Sequence, residues 1–329
     1  MHIPDGFVSG PINAGAAALS AGALGLGLWR ANRQLREQPQ LVPLLATTAA
    51  FVFAAQMLNF PIGGGTSGHF LGAVTAAALL GPWNACIIMA IVLVIQGLLF
   101  ADGGVSALGS NVLNMGVIGG LAGYAVMRGV RSLLPAGRGG YLAAAAVASW
   151  FSVVLASSAC ALELALSGTS PLMVAFPAMA GTHAIIGIGE ALIATAVLAA
   201  VAAARPDIIP EWARLDGKAD QTGKVRKSVW ALAGAGVIVA GGLALLGSPF
   251  ASGSPDGLEK VAADQGFEEA ASEDKVLWTK SLFPDYKVKV IGSERVSTGV
   301  AGLIGTVAVF GAGFAAIRFL TGGAARPKG

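Results

Sequence analysis

Apolar residues run along this chain in long blocks that are broken by short polar stretches. A helix needs about 20 such residues to cross a bilayer. The runs predict spans near 12–29, 42–58, 69–81, 84–101, 110–127, 141–165, 175–204, 228–247 and 298–320. The third is short and rich in glycine at its start, so it is expected to be partly re-entrant. The predicted fold class is an all-α integral membrane protein. Residues 1–205 form a seven-span core, residues 206–227 a charged linker with Pro206 and Pro210, and residues 228–329 a helical hairpin. The hairpin encloses a polar loop, 248–297, expected to be a small extramembrane segment.

Charge then orients the pattern. Arg30, Arg33 and Arg36 follow the first span, and Arg128, Arg131 and Arg138 the fifth. Arg205, Arg214, Lys218, Lys224, Arg226 and Lys227 follow the seventh, and Arg318, Arg326 and Lys328 the ninth. With nine spans these clusters share one side, and basic loops stay cytoplasmic. Loops 59–68, 102–109 and 166–174 hold no Lys or Arg. They are expected outside, together with Met1, and the C-terminus inside.

Composition agrees with this reading. Of the 329 residues, 55% are hydrophobic and only 12% charged, against about 25% charged in soluble domains. The net charge of +3 sits in short loops, a pattern that sets membrane orientation and does not bind nucleic acid. Cys86 and Cys160 lie within apolar runs and read as buried small side chains. No cleavable signal pattern precedes the first apolar run.

The candidate chemistry begins at Met1-His2-Ile3-Pro4-Asp5-Gly6. A free amine followed by histidine can close two adjacent chelate rings, using the Met1 amine, the His2 amide and the His2 ring. Ni2+ and Cu2+ displace amide protons and favour flat, nitrogen-rich sites. One more nitrogen completes such a square. A bulky second residue should also protect Met1 from removal.

The chain has three histidines, His2, His69 and His183. His69 ends the glycine-rich stretch Asn59-Phe60-Pro61-Ile62-Gly63-Gly64-Gly65-Thr66-Ser67-Gly68. Irregular backbone at membrane depth must line a cavity or be buried in protein, so His69 is placed to be the fourth donor. His183 and Glu190 share a helix face with Gly187, and ionisable groups within a span are usually functional. His183 reads as a supporting or alternative ligand, and Glu190 as its support or as a structural group. Gln56, Asn84, Gln96, Asn111 and Asn114 read as interhelical hydrogen-bonding groups. Asn59 is the exception, because it opens the glycine loop.

These three stretches, Met1 to Gly6, Asn59 to His69 and His183 to Glu190, resemble the substrate-binding component of energy-coupling-factor transporters for nickel and cobalt, the CbiM/NikM family. The resemblance implies a seven-helix core whose extra N-terminal helix inserts the chelating terminus, with Met1, His2 and His69 binding the ion. The back third resembles the small N component of the same systems, fused here, with its signature Pro255-Asp256-Gly257-Leu258-Glu259. In the family that component assists metal loading. The fused form resembles the nickel branch more than the cobalt branch, so Ni2+ is the expected cargo and Co2+ the alternative. The resemblance also implies partners, a transmembrane coupling component and a pair of ATPases, whose turnover tips the binding component in the membrane.

No G-x-x-x-x-G-K-[ST] phosphate loop is present in the sequence, so the chain is expected to be no enzyme, and ATP hydrolysis to lie with the partners. Two other readings compete. A self-sufficient secondary transporter would want coupling carboxylates at mid-membrane, where Glu190 is the one good candidate. An intramembrane hydrolase built on Ser67 and His183 would lack an orienting carboxylate.

Overall fold

Lipid leaves a spanning segment no partner for its backbone except itself, which selects helix. The computed structural model describes residues 1–39, 41–209, 211–212, 225–271 and 275–320. The elements are α1 (Gly10–Glu37), α2 (Leu41–Gln56), strands β1 (Phe60–Gly63) and β2 (Thr66–Gly68), α3 (Ala73–Leu80) and α4 (Pro82–Ile95). A short helix α5 (Leu108–Asn111) continues through a π-helical stretch, Val112–Ala122, into α6 (Gly123–Leu133). After these come α7 (Arg138–Leu166), α8 (Leu172–Ala204), α9 (Val225–Gly242), α10 (Gly257–Gln265) and α11 (Glu294–Leu320). The protein is an all-α membrane protein.

Among the described residues, six helices are long and apolar enough to cross a membrane: Gly10–Glu37, Pro82–Phe100, Arg138–Leu166, Leu172–Ala204, Val229–Gly247 and Glu294–Phe319. The apolar helix Leu41–Gln56 is shorter. The run 69–81 does not make a full span. Helix α3 has 8 residues, about 12 Å at 1.5 Å per residue, well short of the roughly 30 Å hydrocarbon core. Residues 69–72 precede it without helix, and Ala73, Val74, Ala76 and Ala77 are buried. This run is apolar because protein covers it, not because lipid does.

The connections gather at one end of the bundle. Ser9 N–H donates to Ser167 Oγ at 2.9 Å, and Thr169 Oγ1 to the Phe7 carbonyl at 2.5 Å. Gly104 N–H donates to the Ile3 carbonyl at 2.8 Å, Ser67 N–H to Pro255 at 2.9 Å and Phe283 N–H to Leu99 at 2.8 Å. At the other end Arg131 pairs with Glu211, and Arg138 lies over the Trp212 ring at 4.9 Å. The N-terminal lead, the β-hairpin, the 101–107 turn and the C-terminal loop thus form one cap.

The C-terminal hairpin packs on α2. Thr47 Oγ1 donates to the Ala233 carbonyl at 3.3 Å, and the buried Phe53 ring lies 5.2 Å from Phe100 and 6.1 Å from Tyr286. The polar loop is ordered where it meets the core. Helix α10 within it is closed by a capping box, in which Asp256 accepts from the Leu258 and Glu259 backbone and Glu259 accepts from Asp256. Much of the proposed linker, 206–227, lies outside the described residues. Before that gap Ile209 and Trp212 are buried, Trp212 against Tyr141.

Candidate metal-binding centre

The cap is built around the first five residues. Asn111 clamps Ile3 from both sides, accepting its N–H at 2.8 Å and donating to its carbonyl at 3.1 Å. Asp5 Oδ1 accepts from the Ser106 N–H at 2.7 Å and hydroxyl at 2.5 Å. Asp5 Oδ2 accepts from Leu277 N–H at 3.3 Å. Ile3 and Phe7 are buried, Phe7 edge-on to Phe267 at 5.4 Å. These contacts hold the amino terminus inside the protein, and Met1 is only 5% exposed.

The β-hairpin delivers the second element. Strands β1 and β2 pair antiparallel, Phe60 with Gly68 and Pro61 with Ser67. Gly64 and Gly65 turn the chain at φ 61° and 73°, the backbone handedness that two-residue hairpin turns demand. His69 follows at once. Its Nε2 lies 3.0 Å from the Met1 amine, and its Nδ1 donates to the Phe70 carbonyl at 3.2 Å. A proton on Nδ1 leaves the Nε2 lone pair directed at the amine. Two nitrogens at right angles on one ion, each about 2 Å away, stand about 2.8 Å apart. The amine and His69 are already near that separation.

The His2 ring stacks on His69 with centroids 5.0 Å apart and planes inclined 24°. Its Nδ1 is 3.1 Å from Asp102 Oδ1 and its Nε2 is 3.2 Å from Gln96 Oε1. Tyr286 donates to Asp102 Oδ2 at 2.5 Å, and Gln96 Nε2 donates to the Tyr286 hydroxyl at 3.3 Å. Burial is the main reason that the His2 imidazole is lowered from its ordinary value, although Asp102 opposes it.

Asp256 closes the group. Its Oδ2 pairs with the Met1 ammonium and stands 4.0 Å from His69 Nε2. Burial alone would raise this carboxyl, but the ammonium, His69 and the cap hydrogen bonds of α10 hold it well below the usual range. Gly257, next to it, lies against His183. A Cβ there would fall 2.8 Å from His183 Cε1 and 2.9 Å from Nε2, so only glycine fits.

The remaining candidates fall around this group. His183 is buried. Its Nδ1 donates to the Met179 carbonyl at 2.8 Å, its Nε2 has no partner among the described residues, and it lines a small void shared with Met1 and His69. Glu190 does not touch His183. It accepts from the Leu71 N–H at 2.6 Å and the Gly72 N–H at 2.9 Å, and so fixes the backbone that follows His69. Asn59 offers its carbonyl to Ser252 N–H at 2.7 Å. Among the described residues, no three His, Cys, Asp or Glu side chains converge as a metal cluster.

Asp256, Asp102, Gln96 and Tyr286 were not among the site residues that sequence reasoning singled out. Each had a faint signal. Asp256 sits in the Pro255-Asp256-Gly257-Leu258-Glu259 stretch, Asp102 is a lone carboxylate in the 102–109 loop, Gln96 is a polar residue within an apolar run, and Tyr286 lies in a Phe-Pro-Asp-Tyr stretch.

An all-helical membrane bundle with a buried amino terminus against two imidazoles defines the class, a membrane protein of metal uptake. The model for the cobalt uptake substrate-specific transmembrane region matches residues 2–208, and the PDGLE domain matches residues 226–322. The chain belongs to this family, in its fused form. It is similar to the putative fused nickel transport protein NikMN of Archaeoglobus fulgidus, 37% identical over 97% of this chain and 99% of that protein. It is also similar to the fused nickel transport protein NikMN of Rhodobacter capsulatus, 36% identical over 64% of each chain. A crystal structure of a truncated transition metal transporter superposes with a TM-score of 0.56 at 35% identity, covering 62% of this chain and 99% of that one.

Proposed function

We propose that the chain is the metal-binding subunit of an ATP-driven energy-coupling-factor importer and captures Ni2+ from outside the cell. The ion takes the Met1 amine, the His2 amide, the His2 ring and His69 Nε2 as its four nitrogens. The observation that carries this reading is the buried approach of the Met1 amine to His69 Nε2 at 3.0 Å, with the His2 ring stacked beside it. Asp256 holds the amine until the ion arrives, His183 supports the site from beneath, and Glu190 and Asn59 hold the surrounding backbone. Residues 1–205 are the capturing core, 206–227 the cytoplasmic linker and 228–329 the loading module. The cap end faces outward and the basic ends face the cytoplasm, as basic loops do.

Energy comes from a coupling component and ATPases, since the sequence has no phosphate-binding loop. The competing mechanisms draw no support from the geometry. Glu190 is committed to two backbone amides, which does not suit a coupling carboxylate. The Ser67 hydroxyl donates to the Ser254 carbonyl at 2.7 Å rather than to a histidine.

The test is nickel titration by calorimetry on protein with a native terminus and on protein extended by residues before Met1. Loss of high-affinity binding on extension, with the fold intact, supports the chelate; equal affinity refutes it. Co2+ uptake by the same route is the second reading, favoured by the name of the matching family model. Metal content and absorption spectrum of the unextended protein separate the two, because flat nickel and tetrahedral cobalt sites absorb differently.

A further inference from the structure

We infer that Gln96 selects which nitrogen of His2 is offered to the ion, and that Tyr286 of the C-terminal loop holds Gln96 in the orientation that does so. The inference rests on the chelate proposed above. When the Met1 amine and the His2 amide bind one ion, the His2 ring can close the second chelate only through Nδ1. Nε2 lies on the far side of the ring. It must then carry the proton, and a buried N–H needs an acceptor.

Two acceptors flank the ring and favour opposite tautomers. Asp102 Oδ1, 3.1 Å from Nδ1, favours a proton on Nδ1 and so masks the chelating nitrogen. Gln96 Oε1, 3.2 Å from Nε2, favours a proton on Nε2 and leaves Nδ1 free. In a metal site the hydrogen bond made by one ring nitrogen decides which of the two binds the ion. Gln96 is fully buried and stands at the start of a π-helical turn, Gln96–Phe100, a local feature common at functional sites. Its carbonyl receives the Asp102 N–H at 3.1 Å, so the two acceptors share one piece of backbone.

An amide side chain has two ends, and something must choose which faces His2. Tyr286 does this. Its hydroxyl accepts from Gln96 Nε2 at 3.3 Å while donating to Asp102 Oδ2 at 2.5 Å, which leaves Gln96 Oε1 for the imidazole. Tyr286 is presented by two consecutive non-glycine residues at positive φ, Asp285 at 52° and Tyr286 at 56°. Strained backbone of this kind persists where the surroundings hold it. The C-terminal module would thus act on the ion through a positioning residue, without touching it.

The experiment compares Gln96→Met, which removes the acceptor, with Gln96→Glu, which keeps one, by nickel calorimetry and visible absorption. The expected result is a loss of about 10- to 100-fold for Gln96→Met, with a shifted nickel band, and near-normal binding for Gln96→Glu. Tyr286→Phe, which removes only the hydroxyl between Gln96 and Asp102, should weaken nickel in the same direction and serves if Gln96→Met does not fold. Unchanged affinity and band in Gln96→Met, or in Tyr286→Phe where that variant stands in for it, would overturn the inference. Equal losses in both Gln96 variants would also overturn it, because they would mark a packing role. Failure of the chelate itself shows separately, as undiminished binding in the terminally extended protein.

Discussion

The carboxylate of Asp256 and the amino group of Met1 form a partly buried ion pair across 255 positions of sequence. The pair joins the two ends of the fused chain at the candidate site. The same carboxylate caps α10 through the Leu258 and Glu259 amides. One side chain therefore ties the order of the C-terminal loop to the position of the amine.

Replacing Asp256 should therefore cost the ion-free protein more than the nickel-loaded one. Removing one partner of a fully buried pair typically costs about 3–5 kcal/mol, an upper bound for this partly buried one, but a bound ion gives the amine a new partner. Thermal unfolding of Asp256→Asn with and without nickel should show the larger drop without it. The pairing also sets a pH window. The folded carboxyl is held below its ordinary value of 3.8, so its contribution is complete above that value and is lost as pH falls through the folded one. Asp256→Asn should flatten the acid limb of the stability profile, and an unchanged limb would assign the acid sensitivity elsewhere.

His69→Ala should open one side of the nitrogen square. Loss of supporting residues around metal sites already costs about 10- to 100-fold, so loss of a donor should weaken nickel by that much or more. The visible band of the nickel-loaded protein should move as well. A variant with the band of the unmutated protein would remove His69 from the ligand set.

Much of the fold was legible because its cause is periodic. Long apolar runs gave the helices. The 69–81 run misled in length, since residues buried in protein and residues facing lipid look alike in sequence; only α3's seven buried positions of eight tell them apart. Met1, His2 and His69 stood out because amine, imidazole and a glycine hairpin are rare chemistry in an apolar chain. Asp256, Asp102, Gln96 and Tyr286 did not, because their meaning lies in convergence. His2 and Gln96 are 94 positions apart, and Gln96 and Tyr286 are 190 apart. No pattern along the chain records such a meeting.

Gly257→Ala should disturb His183 rather than α10. The added methyl would sit 2.8 Å from His183 Cε1, and overpacking of this kind costs about 1–3 kcal/mol. The same change in a His183→Ala background should cost less, because the clashing ring is gone and only Ile186 Cδ1, also 2.8 Å away, remains in the way. Stability measured across this double-mutant cycle should show coupling between the two sites. Additive losses would mean that the glycine does not serve to make room for His183.

Nickel affinity should rise with pH by about tenfold or more per unit near neutrality. Metal binding releases the protons its ligands carry, and the proposed square takes one from the Met1 ammonium and one from the His2 amide, which no ordinary neutral pH removes without the ion. The His2 ring adds nothing to this slope at pH 7. Burial lowers its proton affinity from the ordinary 6.5, so the imidazole is already neutral, and protons compete for it only as pH falls below that value. Calorimetry in buffers of different ionisation enthalpy between pH 6.5 and 8.0 would count the released protons directly. A flat profile with no proton release would remove both the backbone amide and the Met1 amine from the site, because the ammonium paired with Asp256 must also lose a proton to bind the ion.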